Sequence, residues 1–332
     1  MESPQILRVG ILGTGAWSRL HLYNLQRQPN VEVCACYGSN PQKTAAFQQQ
    51  AGEQCVIYPR YQDLFPHIDA MYVVIPPFAH DTEIIEAAEA GIHVFTEKPL
   101  ARTLEQSVRI VEGVNRYPAV KTQIGLMLRF SRVVEVIQDF VFRRGRPVLF
   151  IGRYFSNDLH AHWWRDIEKS GGQLLEQVIH LLDIACHFFG EPERVYFDQA
   201  NLCHQAVPNY TAGDVSALMI RFESGALAVI GATNQAVHGK WECDFRIVFE
   251  NLTIAYWEPS RGEFWVTEPG QSEFFQVNDG PDPYLRETED FLDAIRNDLL
   301  PRVPLAEGLK SMRIIEAAER SLKRGEPVSI TR

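Results

Sequence analysis

Residues 7–18 read LRVGILGTGAWS, and this stretch decides the fold. Its first half, residues 7–12, is an apolar run that predicts a buried parallel strand. Two glycines, Gly13 and Gly15, follow at once, and a helical pattern then runs from about Ala16 to Gln28. A strand, a glycine turn and a helix in this order are typical of the first unit of a dinucleotide-binding α/β domain.

The glycine turn, residues 13–18, suits an anion such as a pyrophosphate. Gly13 permits the tight turn, and Gly15 lets the backbone approach the phosphates. Free N–H groups at the start of the helix can then bind the anion. Ser18 takes the third position of the pattern, which must be small so that helix and strand can pack closely. We therefore expect the dinucleotide to contact Gly13, Thr14, Gly15, Ala16 and Trp17.

Strands and helices alternate through the rest of the first half of the chain. The alternation predicts right-handed βαβ units and a doubly wound parallel sheet, which we assign to an α/β Rossmann domain over residues 1–125. Asn40 is expected to cap a helix that begins at Pro41. Further strands are expected at 31–37, 71–75 and 93–96, and helices at 41–51, 81–90 and 104–115.

The second half has a different pattern, in which several segments alternate apolar and polar residues. Such alternation is typical of antiparallel strands with one wet face. Residues 223–225, Glu-Ser-Gly, predict a hairpin turn between two of these strands. We therefore assign residues 126–332 to an α+β domain with a large, mostly antiparallel open sheet. Strands are expected at 148–155, 194–199, 215–222, 226–233, 245–249, 252–257 and 263–267, and helices at 172–189, 284–297 and 306–324.

The end of the second strand lacks the carboxylate that usually binds the adenosine ribose. Residues 36–43 read CYGSNPQK, with Gly38 in the place of the acidic residue. Ser39, Asn40 and Lys43 can donate hydrogen bonds to a 2′-phosphate, which a carboxylate would repel. This pattern favours NADP over NAD as the cofactor, although Lys43 alone is also compatible with a solvated helix residue.

Composition excludes several classes of protein. The net charge of −10 argues against a nucleic-acid partner. No apolar run reaches the roughly 20 residues that span a bilayer, so no membrane partner is expected. The six cysteines form no CxxC pair, and no signal segment precedes the first strand, so a cytoplasmic location is expected. No metal site is expected, because His160 and His162 have no carboxylate or thiolate at ligand spacing.

Three further motifs resemble those of the glucose-fructose oxidoreductase / inositol dehydrogenase / MocA (Gfo/Idh/MocA) family. Residues 90–99, AGIHVFTEKP, are similar to its AGKHVxxEKP pattern, and residues 75–80, IPPFAH, to its TPPxxH loop. Residues 170–183, SGGQLLEQVIHLLD, resemble its GGGxxxDxGxHxxD segment, with Glu176 in place of the aspartate and no glycine before the histidine. The last two helices are also similar, so the resemblance runs nearly from end to end.

The resemblance implies an oxidoreductase that acts on a hydroxyl group of a sugar-like small molecule. Oxidation of a secondary alcohol needs a base with a pKa near the working pH, and His180 is the natural candidate. Glu176 lies one helical turn earlier and can orient His180 or bind substrate. Lys98 ends a strand at the ligand-binding edge of the sheet and can stabilise charge on the reacting oxygen. By resemblance, the Lys98-Pro99 bond is expected to be cis, and the cofactor site also includes Ile75, Pro76, Pro77, His80, Glu97 and Lys98.

The expected substrate contacts lie in the second domain. Arg129 and Asp183 are candidates, but a surface ion pair for Arg129 and a local network for Asp183 remain open alternatives. Trp164 and Arg165 belong to an aromatic, polar stretch that either lines the substrate or packs beneath the sheet. Glu176 completes the set of candidate substrate residues.

Three functions remain open from the sequence. The favoured one is an NAD(P)-dependent sugar or polyol dehydrogenase. The alternatives are an NAD-dependent glycosidase that works by oxidation and elimination, and a non-catalytic regulator that senses the dinucleotide. The regulator is disfavoured because Lys98 and His180 are both present. A large sheet with one uncovered face also predicts a homodimer or homotetramer.

Overall fold

The computed structural model describes residues 6–141, 145–268 and 270–331. The chain forms two compact units that are interleaved along the sequence. Unit 1 runs to Ala101 and adds Glu105–Gly125 and Tyr284–Gly308. Unit 2 takes the remaining segments, of which Leu126–Pro283 is by far the longest. No helix of the described residues is both long and apolar enough to cross a membrane.

Unit 1 is built on a six-stranded parallel sheet with the order β3-β2-β1-β4-β5-β6. This is the doubly wound order, and it reverses direction between β1 and β4. Its strands are β1 Leu7–Leu12, β2 Val31–Tyr37, β3 Val56–Ile57, β4 Ala70–Val73, β5 His93–Glu97 and β6 Thr122–Gly125. Its helices are α1 Ala16–Gln26, α2 Pro41–Ala51, α3 Glu83–Glu89, α4 Leu104–Val114 and α9 Pro283–Arg296. The first residue of α4 belongs to unit 2, and α9 follows the long segment of the chain that forms most of unit 2. The predicted Rossmann sheet is confirmed.

The return of the chain to unit 1 is driven by the burial of aromatic side chains. Phe291 of α9 is fully buried and lies 5.7 Å from the ring of Tyr72 and 5.9 Å from the ring of Phe95, both in the sheet. The N–H of Ile124 in β6 also bonds to the carbonyl of Val303 at 3.0 Å. Sequence alone placed Tyr284–Gly308 in the second domain, because periodicity shows that a helix has an apolar face but not which sheet that face covers.

Unit 2 contains a nine-stranded sheet with the order β14-β13-β12-β11-β7-β10-β9-β8-β15. All neighbours are antiparallel except β7 and β10, so the prediction of a large, mostly antiparallel sheet is confirmed. Its strands are β7 Pro147–Phe155, β8 Pro192–Ala200, β9 Val215–Phe222, β10 Leu227–Thr233, β11 Glu242–Phe249, β12 Leu252–Glu258, β13 Arg261–Glu268, β14 Gln271–Val277 and β15 Val328–Ser329. Its helices are α5 Arg132–Val141, α6 His162–Arg165, α7 Ile167–Ser170, α8 Ile179–Phe189 and α10 Leu305–Arg324, whose first residues belong to unit 1.

The two faces of this sheet have different surroundings. One face packs against α5, α8 and α10 in a single apolar core that includes Phe150 and Phe245. On the other face, three side chains lie side by side on adjacent strands: Ile151 pairs with Val229, and Val229 pairs with Met219. Their exposed fractions are 50%, 45% and 43%. The sheet therefore presents an exposed apolar row, which we call the outer row.

The segment expected to be one helix, residues 172–189, is helical throughout, but it contains a π-helical turn. At its start, Gly171 and Gly172 have positive φ angles of +71° and +69°. The π-helical turn is Leu174–Val178, and α8 continues the helix from Ile179. A π-turn holds one more residue than an α-turn, and such turns are frequent at functional sites. The predicted stop at Gly190 is confirmed, and so is the hairpin at Gly225.

Candidate active site

The glycine turn lies at the carboxyl end of β1. Gly13 has a φ of +101°, and a Cβ atom there would lie 2.1 Å from the carbonyl oxygen of Val74. Only glycine fits this contact. Gly15 is the residue that caps α1, and a Cβ atom there would meet no protein atom within 4 Å. The turn is therefore closed at Gly13, against Val74 just after β4, and open at Gly15, where the helix starts; this fits a bound pyrophosphate.

The first turn of α1 completes the candidate pyrophosphate site. Ala16 and Trp17 are exposed, and the Trp17 ring stacks on Tyr284 at 5.7 Å. Thr14 and Ser18 are buried, with exposed fractions of 7% and 0%. The small side chain of Ser18 lets α1 pack closely, as expected for the third position of the pattern.

The end of β2 shows why a glycine stands at position 38. A Cβ atom on Gly38 would lie 2.3 Å from Thr14 Oγ1 and 2.5 Å from Thr44 Oγ1, two atoms that are themselves 3.1 Å apart. Ser39, Asn40 and Lys43 are exposed beside it. Asn40 caps α2 as predicted, with its Oδ1 accepting the N–H of Lys43 at 2.9 Å. The side-chain oxygen of Asn40 is thus occupied, while its amide N–H groups remain donors.

The loop after β4 carries Ile75 and Pro76 and then a short 3₁₀ turn, Pro77–Ala79. His80 follows it and is 4% exposed, with its Nδ1 at 2.6 Å from Glu83 Oε1. Burial by itself would raise the pKa of Glu83, but the His80 contact and the backbone N–H of Asp81 outweigh it and hold that pKa below its usual value. The pair fixes the loop at the edge of the sheet.

Glu97 and Lys98 lie at the carboxyl end of β5, and the Lys98-Pro99 bond is cis as expected. Glu97 Oε2 accepts the N–H of Lys98 at 3.2 Å. Its other oxygen, Oε1, is 2.8 Å from Nε2 of His21, a fully buried residue of α1. Sequence reasoning did not single out His21, because a histidine on the inner face of a helix has the same pattern as a packing residue.

The candidate catalytic residues of unit 2 lie on the helix of residues 172–189. Glu176 belongs to the π-turn and is half-buried, and His180 lies in the first turn of α8 with 8% of its surface exposed. The π-turn changes the phase of the helix between them, so their spacing of four residues does not by itself place them on one face. Lys98 belongs to unit 1 and His180 to unit 2.

Arg129 and Asp183 are brought together by the structure. Arg129 Nε and Nη2 donate to the two oxygens of Asp183 at 2.7 Å each, and Arg129 Nη1 also donates to His187 Nδ1. Arg129 and Asp183 are 7% and 2% exposed, so this is a buried two-pronged ion pair and not a surface one. The pair ties the 3₁₀ segment Met127–Phe130 to α8.

The aromatic stretch before the glycines is held by its own contacts. Trp164 is 4% exposed and packs with its ring 4.2 Å from that of His160. Arg165 donates to the carbonyl oxygens of Leu159 and His160 at 3.0 and 3.1 Å. These contacts support packing for Trp164 and give Arg165 the role of holding the loop. Burial lowers the pKa of His160, which favours its neutral form.

Comparisons with known proteins agree with this arrangement. Residues 7–123 match the model of the oxidoreductase family with an NAD-binding Rossmann fold, and residues 142–255 match the GFO/IDH/MocA C-terminal domain. The chain is 30% identical to the uncharacterized oxidoreductase YrbE of Bacillus subtilis over 97% of this chain and 96% of that protein. It is 27% identical to scyllo-inositol 2-dehydrogenase (NAD(+)) of the same organism, over 98% of this chain and 96% of that protein.

A solved structure has the same fold. Levoglucosan dehydrogenase in complex with NADH and levoglucosan superposes with a TM-score of 0.90 at 21% identity, covering 99% of this chain and 100% of that chain. The glycine turn, the sheet order and the end-to-end similarity to YrbE lead to one assignment. The chain belongs to the Gfo/Idh/MocA oxidoreductase family, with an NAD-binding Rossmann domain and the C-terminal domain of that family.

Proposed function

We propose that this protein is an NAD(P)-dependent dehydrogenase or reductase that transfers a hydride between the nicotinamide and a hydroxyl or carbonyl carbon of a sugar, a polyol or a related compound. The observation that carries the proposal is Lys98, an amine at the same edge of the sheet as the glycine turn. Open α/β sheets bind their ligands at this edge. The similarity to scyllo-inositol 2-dehydrogenase supports a cyclic polyol or sugar as the substrate.

The residues of this chain supply binding and proton transfer. The dinucleotide, when bound, supplies the hydride acceptor or donor; its pyrophosphate fits the N–H groups at Gly15 and the start of α1. Lys98 Nζ donates a hydrogen bond to the reacting oxygen and stabilises negative charge there. His180 takes the hydroxyl proton in the oxidation and returns it in the reduction, and Glu176 orients His180 or binds a neighbouring hydroxyl.

The test of these roles uses Lys98→Met and His180→Ala. Each is expected to lower kcat on the order of 10³-fold, because general acid–base and electrostatic groups contribute at this level. Dinucleotide binding, measured by fluorescence titration, is expected to change little. Lys323→Met, an exposed lysine near the end of α10, is the matched control and is expected to keep full activity. Full activity in both site variants would show the assignment to be wrong.

The substrate is identified by a screen of sugars and polyols with NAD and with NADP, followed at the absorbance band of the reduced nicotinamide. Turnover of at least one of these compounds is expected with one of the two dinucleotides. Cleavage of a glycoside with no net reduction of the dinucleotide would instead favour the oxidation–elimination cycle.

We propose NADP as the preferred dinucleotide. The contacts of Gly38 give that glycine a packing role, so the preference is supported by the exposed donors on Ser39, Asn40 and Lys43 and by the lack of a carboxylate in residues 38–43. Fluorescence titration is expected to show tighter binding of NADP. Ser39→Asp is expected to weaken NADP binding by about tenfold more than NAD binding, because a carboxylate repels the 2′-phosphate. Ser39→Ala is the control, and tighter binding of NAD to the unaltered protein would refute the preference.

We also propose that a second copy of this chain covers the outer row of Ile151, Val229 and Met219. An apolar row on three adjacent strands of one sheet is unusual on a surface that faces water. A twofold pairing would place the same row of each copy against the other. A homodimer or homotetramer through this sheet is the expected assembly.

A further inference from the structure

Three elements of unit 1 meet at the Glu97 carboxylate. One oxygen is held by His21 of α1 at 2.8 Å, and the other by the backbone N–H of Lys98 at 3.2 Å. The third element is β6, where a Cβ atom on Gly125 would lie 3.1 Å from Glu97 Oε2. The carboxylate therefore connects the helix that begins at the glycine turn to the peptide group of Lys98.

The surroundings of His21 determine which of its two ring nitrogens carries the proton. The imidazole is fully buried beside the stacked rings of Tyr72 and Phe95, with ring-centroid distances of 5.5 and 5.0 Å. No described residue offers a hydrogen-bond partner to its Nδ1. A proton on Nδ1 would be buried with nothing to accept it, which is costly, so the proton sits on Nε2 and is donated to Glu97.

We propose that His21 is a positioning residue for Lys98, acting through Glu97. Its Nε2–H holds one carboxylate oxygen, so the other oxygen stays on the N–H of Lys98 and fixes the backbone from which the ammonium group extends. Because His21 lies on the helix whose first turn would hold the pyrophosphate, the same contact links the proposed dinucleotide site to the proposed catalytic amine. The expected effect on turnover rests on the proposed function, whereas the expected effect on the Lys98 peptide group does not.

The test compares three variants of unit 1. His21→Met keeps an apolar volume and removes the donor. His21→Gln restores an N–H group at nearly the same reach. Leu25→Val lies on the same buried face of α1, and no hydrogen bond links it to Glu97, so it controls for looser packing of the helix.

Two measurements are made on each variant. In His21→Met, hydrogen exchange at the Lys98 amide is expected to be about tenfold faster than in the unaltered protein, because its acceptor is released. The kcat is expected to fall about 30-fold, with KM and dinucleotide affinity within about threefold, since a displaced amine misses the reacting oxygen. His21→Gln is expected to recover most of both quantities, and Leu25→Val to change neither.

The outcomes separate this inference from the proposed function. If the unaltered protein turns over no sugar or polyol, the proposed function fails, and exchange at the Lys98 amide alone decides whether His21 positions that peptide. Unchanged exchange in His21→Met overturns the inference. So does a loss of activity in Leu25→Val as large as that in His21→Met, because a general packing defect would then explain both.

Discussion

Gly13 and Gly15 lie two residues apart in one turn, but they are glycines for different reasons. At Gly13 the protein itself forbids a side chain, since a Cβ atom would overlap the carbonyl oxygen of Val74 at 2.1 Å. At Gly15 no protein atom lies within 4 Å of that position, and its φ of −80° is open to any residue. A requirement for glycine at position 15 would therefore come from the ligand.

This difference predicts that one alanine substitution impairs dinucleotide binding and the other impairs stability. Gly15→Ala is expected to keep the melting temperature within about 2 °C and to weaken dinucleotide binding by at least about tenfold, because the methyl group enters the space near the phosphates. Gly13→Ala is expected to lower the free energy of unfolding by about 2 kcal/mol or more through strain and overlap. Thermal melts and fluorescence titrations measure both. Equal dinucleotide affinity in Gly15→Ala and the unaltered protein would exclude close contact at that glycine.

The sequence could predict residues whose role depends on local pattern, and it could not predict those whose role depends on a distant partner. Gly13, Asn40 and the cis bond at Lys98 follow from motifs and were found. His21 depends on Glu97, 76 positions away in the chain, and no local spacing indicates such a pair. The candidates Arg129 and Asp183 were named singly, but their mutual bonding across 54 positions became visible only in the fold.

At the scale of elements, one carboxylate secures the start of β9. Asp214 is 1% exposed and accepts the backbone N–H groups of Leu202, Cys203 and His204 at 2.9, 2.6 and 3.0 Å. Burial raises the pKa of Asp214, but these three N–H groups and the His204 ring outweigh it and hold the pKa below its usual value. The ionised carboxylate thus ties the loop after β8 to β9.

The stability that Asp214 contributes has a defined pH range. Its pKa is lower in the folded chain than the value of about 3.9 in the unfolded chain, so the contribution is complete above that value and is lost as the pH falls through the folded pKa. Asp214→Asn is expected to lower the free energy of unfolding by about 2 kcal/mol at pH 7 and by much less near pH 3. Urea unfolding at the two pH values measures this, with the exposed Asp139→Asn as control. An equal loss of unfolding free energy in Asp214→Asn at both pH values would contradict a stabilising role of the ionised carboxylate.

Elements were predicted well where burial is periodic and poorly where it is not. Strands β1, β2, β4 and β5 of the Rossmann sheet and the hairpin at Gly225 follow from apolar runs and turn residues, whereas β3 and β6 were not predicted. The π-turn at Leu174–Val178 was missed, because one extra residue in a turn leaves almost no trace in a fully buried stretch. The helix α5 was missed as well, although its apolar spacing was visible in residues 132–141.

For the whole molecule, the outer row of unit 2 gives a test of assembly. Val229→Lys puts a charge in the middle of the row, between Ile151 and Met219, and is expected to convert the assembly to monomers. Light scattering after gel filtration measures the mass. Leu300→Lys, at a position that is 88% exposed in unit 1, is the matched control and is expected to leave the mass unchanged. An unaltered mass in Val229→Lys would refute the proposed interface.

The late return of the chain to unit 1 also bears on how the protein is made. During synthesis on the ribosome, all six strands of the Rossmann sheet have emerged long before the helix that carries Phe291. At translation rates of about 5–20 residues per second, roughly 10–40 seconds pass between the synthesis of Tyr72 and Phe95 and that of Phe291, which covers their rings. A nascent chain in that interval exposes an apolar surface, so we expect chaperones to bind it then, and we expect a fragment that ends at Gly125 to aggregate.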